Sequence, residues 1–298
     1  MRGFPILLCL ATLLPACGDG SPPPAGGDLM VALAPLTVAP HQEAVYCEYL
    51  PADGSDRWLS TFTTNMTPGS HHLIVFRVDE SRAEKPPAPG RRVCDQLDLP
   101  EGMDGMLPGS QQPRTEVALP PGVAMRLGPT HGVFFQYHYY NPGDAPLVAN
   151  ITWRAAAIPA DQVTAPAGMM FYSNFALAVP PGSSKATLSC LVPTERTLLG
   201  ATGHMHRRGT WFDASVDGAD IYHSDSWLEA PLTAFPAPGL HLQRGARVSW
   251  TCTYVNSGTT TYEFGPSALD NEMCILAALY YPAAPGAELD LGCPDSLP

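Results

Sequence analysis

The chain has 298 residues, 45% of them hydrophobic, and a net charge of −12; that length accommodates two ordinary domains, each with a sizeable core. Only 15% of residues are charged, while Pro (33) and Gly (27) are abundant, which suits short strands joined by turns and argues against long helices. The acidic balance and the lack of a basic run exclude a protein that draws its affinity from phosphate backbones, so no nucleic-acid partner is expected.

Residues 1–17 read as an export signal. Arg2 supplies a positive start, and residues 4–14 are apolar but too few to span a membrane as a mature helix. Leu14-Pro15-Ala16-Cys17 resembles a bacterial lipoprotein processing box, with Cys17 the lipid-carrying residue and Pro15 unusual within it. The expected location is outside the cytoplasm, at a bacterial periplasm or cell surface, with membrane contact only through the lipid. Residues 18–28 form a Gly/Pro-rich linker that cannot bury a core.

Short apolar-alternating runs follow at 73–78, 132–140, 186–191, 247–254 and 275–281. Pro86-Pro87, Pro120-Pro121, Asn141-Pro142-Gly143 and Pro180-Pro181-Gly182 separate them, and no 3.6-residue stripe persists for three turns. The pattern predicts an all-β chain of two antiparallel, jelly-roll-like β-sandwich domains. The charge-poor stretch 155–167, with Pro159 and Pro166, marks the expected boundary between an N-terminal domain (29–160) and a C-terminal domain (161–298). Outside the signal region stand Cys47, Cys94, Cys190, Cys252, Cys274 and Cys293. An even number in an exported chain implies disulfides. The spacing favours Cys47–Cys94 in the first half and two bridges in the second. Oxidised cysteines do not bind metal as thiolates, which leaves His and Met as the soft ligands.

Those ligands come in patterns. His71-His72 follows an irregular Pro68-Gly69-Ser70 entry. Neighbouring strand residues face opposite ways, so this pair can share an ion only at a strand end, bulge or twist. His138 offers a third imidazole, with Gln136 on the same face as a hydrogen-bonding partner behind the ligands; His131, in a loop, is the alternative third ligand. His204 and His206 alternate and so share one strand face. Met273 adds a thioether, and two imidazoles with a thioether suit copper, above all Cu(I). His41, His223 and His241 have no neighbour at ligand spacing. No Gly-x-Ser-x-Gly, phosphate-cradling loop, Cys-x-x-Cys or isolated carboxylate pair offers a competing chemistry.

Together these stretches resemble the copper type II, ascorbate-dependent monooxygenases, the family of peptidylglycine α-hydroxylating monooxygenase and dopamine β-monooxygenase. The resemblance runs from about Cys47 to Cys293. It rests on His71-His72-Leu-Ile-Val-Phe, Gln136-Tyr-His138-Tyr-Tyr-Asn-Pro, the segment 198–206 ending His204-Met-His206, and Glu272-Met273-Cys274. It implies two coppers across a water-filled cleft. His71, His72 and His138 would hold the electron-storing ion; His204, His206 and Met273 would hold the ion where dioxygen and substrate meet. It also implies bridges Cys47–Cys94, Cys190–Cys293 and Cys252–Cys274. The expected activity is hydroxylation of a C–H bond of a small or peptide-like substrate with dioxygen and a one-electron donor such as ascorbate. The alternative is a non-enzymatic copper-binding or storage lipoprotein.

The chain also departs from that family. Peptide-amidating members hold the substrate carboxylate with an arginine two residues before the His-x-His and with asparagine and tyrosine two and four residues after the methionine. Thr202, Ile275 and Ala277 stand at those places here, which implies a more apolar pocket. Arg208 shares a strand face with His206 and offers a cation for an anionic substrate, with a solvated surface position as the plainer reading.

Overall fold

The structure is a computed structural model that describes residues 26–284, 286 and 288–292. The export signal, Cys17 and most of the linker lie outside the described residues. Every described element is a strand except one 3₁₀ turn, Ala160–Gln162, so the expected all-β fold holds.

Two sheets draw on residues before 167. The first has the order Leu29–Val38, Leu147–Ile158, Arg57–Met66, Val123–Leu127 and Ala165–Pro166, with Arg114–Ala118 also on Arg57–Met66. The second runs Gly90–Val93, Glu43–Leu50, His131–Tyr140, Ser70–Asp79 and Met103–Ser110. Leu147–Ile158 shows why the first sheet sits at the outside. Ala149, Ile151, Trp153 and Ala155 point inward and the residues between them face water, the period-two pattern of a half-buried strand. Phe62, Val75, Phe135 and Trp153 fill the layer between the two sheets.

The residues from 168 onward build a second sandwich. One sheet has the order Thr233–Ala234, Arg196–Met205, Cys274–Tyr281, Gly168–Ser173 and Leu289–Asp290, with Leu240–Leu242 also on Arg196–Met205. The other is Gly182–Leu191, Arg247–Asn256, Gly209–Val216 and Ala219–Ser224. Leu198, Phe212, Trp250 and Leu276 pack between them.

Three strands break the half-buried pattern. Ser70–Asp79, His131–Tyr140 and Cys274–Tyr281 are buried at nearly every position. The cause is a third apolar cluster in which Tyr49, Phe76, Met106 and Phe134 of the first sandwich meet Met169, Phe171 and Leu289 of the second. Each of these sheets is therefore covered on both faces, and continuous apolar runs are what such strands require. All the candidate ligands lie on these strands, on Arg196–Met205, or just beyond their ends.

Cys47–Cys94 and Cys252–Cys274 are both formed. Cys190 is also disulfide-bonded; its expected partner, Cys293, lies outside the described residues. Cys252–Cys274 ties the two sheets of the second sandwich together and closes a sequence separation of 22 residues. Loop-closure entropy gives such a bridge about 3 kcal/mol. The double variant Cys252→Ala/Cys274→Ala is expected to lose about that much unfolding free energy in guanidinium titration. A loss below about 1 kcal/mol would show that packing alone holds these sheets together.

Candidate metal centre

His71 and His72 lie at the start of Ser70–Asp79. Gly69, at a φ of +97°, makes the entry turn that a side-chain-bearing residue resists. Ser70 pairs with Tyr139 and His72 with His138, and the ladder slips between them. The irregularity leaves His71 as the extra residue. It brings both rings to one place, 5.2 Å apart between centroids, which answers the problem of adjacent residues on a strand. In the second sandwich, His204 sits opposite Ile275 near the end of Arg196–Met205. His206 follows that strand, and Met273 immediately precedes Cys274–Tyr281.

The expected separation into two sites does not hold. The His71 ring lies 4.5 Å from His204 and 5.2 Å from His206, as near as it lies to its own neighbours His72 (5.2 Å) and His138 (5.1 Å). All five rings form one cluster where the sandwiches meet. Donor nitrogens of His71, His72 and His204 lie within 4.8 Å of one another. Trp227 covers the cluster, its ring 5.4 Å from His71.

Hydrogen bonds fix which nitrogen each ring presents. Gln111 donates from Nε2 to Thr202 Oγ1 (3.0 Å) and to the Gly203 carbonyl (2.9 Å). Its Oε1 must therefore accept from His204 Nδ1 (2.7 Å), which leaves the His204 Nε2 lone pair free for a ligand. His206 Nδ1 donates to the Asn271 carbonyl (3.3 Å), so Nε2 is again the free atom. His138 differs: Nε2 donates to Glu43 Oε2 (2.8 Å), and Nδ1 receives the Gln96 amide. Both its nitrogens are engaged, so His138 as placed props its neighbours and presents no donor atom.

The cluster is dry. His71, His138 and His206 are 0% exposed, His72 2% and His204 9%. Burial first, and then the neighbouring imidazoles, hold His71, His72 and His206 well below the ordinary imidazole value of 6.5. The same causes push His204 down to about 3. These four rings are neutral at pH 7, the form that binds metal. Both ring nitrogens of His71, both of His72 and Nε2 of His206 have no hydrogen-bonding partner. Each unsatisfied buried polar atom costs about 1–3 kcal/mol. A soft or borderline cation satisfies such nitrogens, so the donor set fits the expected metal.

Around the cluster, side chains cross between the sandwiches. Glu43 accepts from His138, from Ser267 Oγ and from the Ala268 N–H (2.9 Å). Burial raises its pKa, yet these hydrogen bonds outweigh burial and hold it below the ordinary carboxylate value. Glu272 accepts the N–H groups of His206 (3.2 Å) and Arg208 (2.8 Å), while burial pushes it up to about 7. Arg208 is not solvated as expected. Its side chain is 12% exposed, lies over the Tyr262 ring and donates to the Leu269 carbonyl (2.6 Å). It pins the loop before Met273.

Gln136 is fully buried but donates to the Asp95 carbonyl (3.1 Å); Gln96 and Gln111 are the amides that touch the histidines. His131 sits at the far end of its strand, 3.1 Å from Asp104. Although Asp79, Asp104 and His131 lie close enough to group around a cation, Arg77 and Arg82 already ion-pair with that group. His41 bonds Asp144, His223 stacks on Trp211 and His241 faces Glu195, all away from the cluster.

A cavity of about 340 Å³ opens between the sandwiches against this centre. His72, His204 and Met273 line it, and so do Thr202, Ile275 and Ala277.

No protein-family model and no curated protein matches the chain. Solved structures that it is similar to are viral coats. The major capsid protein P2 of bacteriophage PM2 shares 8% identity over 85% of this chain and 97% of that one, with a TM-score of 0.29. The cowpea mosaic virus top component shares 9% identity over 94% and 100%, with a TM-score of 0.34. Likeness at this level carries no functional argument.

Two outcomes are expected. In the metal-free protein the unfolded chain takes protons below pH 6.5 that the buried rings refuse; His204, lowered to about 3, retains its preference for the neutral form down to that pH. Its stabilising contribution is complete above the unfolded value and declines as pH falls from 6.5 towards 3. Thermal midpoints should therefore fall steadily on acidification, and less steeply in His204→Gln; a flat profile would show that these rings are not buried neutral. Gln111→Ala is expected to lower metal affinity about 10–100-fold by freeing the His204 ring, with the fold intact by circular dichroism. Unchanged affinity would remove Gln111 from the centre.

Proposed function

We propose that this chain is a copper oxidoreductase that hydroxylates a C–H bond of a small molecule with dioxygen. One oxygen atom enters the C–H bond and the other leaves as water, with two electrons and two protons supplied through a one-electron donor such as ascorbate. The observation that carries this reading is the run of unpartnered imidazole nitrogens on His71, His72 and His206, gathered with His204 at the wall of a cavity that Met273 also lines. A purely structural histidine cluster would have its nitrogens satisfied.

Bound copper supplies redox cycling and dioxygen activation. The chain's own residues hold and orient it. His71, His72 and His204 offer converging donors, with His206 and Met273 beside them. Gln111 fixes the His204 tautomer, while Glu43 and Gln96 hold His138 against the pair. The surrounding apolar walls exclude water. The family resemblance implied two distant ions; the proposal here is one compact centre that both sandwiches complete. The disulfides fit an oxidising compartment, and an exported, Cys17-lipidated protein is part of the same proposal.

Two monovalent ions held as close together as these rings, about 5 Å, would repel by about 3 kcal/mol at an effective dielectric of 20. In Cu(I) titration of a soluble form starting at Asp28, a second equivalent is therefore expected to bind about 100-fold more weakly than the first. Two equal, independent sites would overturn the compact centre, and no stoichiometric copper would overturn the oxidoreductase reading. Met273→Ile is expected to fold and to lose at least about tenfold in substrate-coupled dioxygen consumption, within the range for disturbed metal surroundings. Tight copper binding without any such consumption would indicate a storage protein.

A further inference from the structure

The cavity beside the histidines is distinctive for what its wall lacks. Among the described residues that line it there is no Asp, Glu, Lys or Arg. Apart from the histidines of the metal centre, its glutamines and Ser110 are already engaged. Gln111 is used by Thr202, Gly203 and His204; Ser110 bonds Thr115 and the Gln112 carbonyl; Gln96 is on His138. A charged ligand entering here would shed its hydration and meet no counter-charge, and a strongly polar one would find only the imidazole nitrogens of the metal centre free. The apolar character continues to the outside. Leu97, Leu99, Phe175 and Leu291 all border the cavity and are 49%, 55%, 66% and 53% exposed. Large apolar side chains left open around a concave site mark where an apolar ligand approaches.

We infer that this cavity takes a neutral, predominantly hydrocarbon small molecule, and that such a molecule is the substrate class of the centre; the second half of that statement rests on the copper reading above. The 340 Å³ volume equals roughly eleven waters at about 30 Å³ each. A molecule on the order of ten non-hydrogen atoms fills it, such as a medium-length alkyl alcohol or a small alkylbenzene. Thr202, Ile275 and Ala277 place a hydroxyl and two apolar side chains next to His204 and Met273. A carboxylate at that end would meet no cation, and an ammonium group would meet no carboxylate, only the neutral imidazole nitrogens of the metal centre.

The test uses the metal-free protein and N-phenyl-1-naphthylamine, a neutral apolar fluorophore, displaced by 1-octanol, octanoate or octylamine at pH 7. The expected result is fluorophore binding that 1-octanol reverses at concentrations at least tenfold below those needed with either charged chain. Ala277→Asp is expected to weaken 1-octanol and to bring octylamine level with it or ahead. Should that variant fail to fold, Leu99→Lys on the exposed rim is expected to narrow the gap between 1-octanol and octanoate. Absence of fluorophore binding, or equal displacement by the charged chains, overturns the inference. Because no metal is present, such a failure leaves the copper reading standing. Conversely, selective 1-octanol binding by a protein that takes up no copper removes the reaction and keeps the ligand class.

Discussion

Buried imidazoles with too few partners are the constraint around which the molecule is arranged. A neutral imidazole brings one donor and one acceptor into the interior, and each needs an answer. Five imidazole rings share one volume here, and some of their nitrogens are hydrogen-bonded while others are left free. His204 and His206 are each held by Nδ1 alone, through Gln111 and the Asn271 carbonyl. His138 is held at both ends by Glu43 and Gln96. His71 and His72 are held at neither. A gradient from fully to wholly unpartnered rings is what distinguishes a ligand cradle from a packed polar core.

The two sandwiches complete each other at this point. Gln111 belongs to the first half and sets a ring of the second. Glu43, also from the first half, accepts from Ser267 and Ala268 in the loop that leads to Met273. That loop is in turn clamped from its own side by Arg208 and Glu272. A relative slide of the halves would break hydrogen bonds at each of these places and expose the cluster of Phe76 and Phe134 against Phe171. The centre and the junction therefore stand or fall together, and a long-range division of labour between separated sites is not what this geometry offers.

Much of this was legible locally. Alternation and Pro/Gly punctuation revealed the all-β architecture, and the irregular entry at Gly69 foretold the slip that lets His71 and His72 share a place. Cysteine spacing and the family resemblance pointed to both described bridges. The convergence of the two ligand sets was not legible, because it depends on how the sandwiches dock, and no strand period reports that. Gln111 and Glu43 were missed for a related reason: each acts on a residue far away in the chain, His204 and His138 respectively, and alone each reads as a surface polar residue. Arg208 misled because strand geometry was extended one turn too far. The strand ends at Met205, and the turn beyond aims the guanidinium at the 269–272 backbone.

The continuous apolar character of Ser70–Asp79 and Cys274–Tyr281 links the fold to the chemistry. Strands covered on both faces bring a dry, low-dielectric wall right up to the donors, and neutral rings supply no negative charge. Such a site would penalise the higher charge of an ion, because desolvation costs rise steeply with charge and the carboxylates that reach the cluster, Glu43 and Glu272, are already engaged by hydrogen bonds. A cation bound by imidazole and thioether in that setting is favoured in its lower, softer oxidation state. The walls that would favour a reduced ion would, on the same proposal, also disfavour charged ligands. On the proposed reading, preference for Cu(I) and preference for a hydrocarbon partner would be two consequences of one feature, the burial of these strands on both faces.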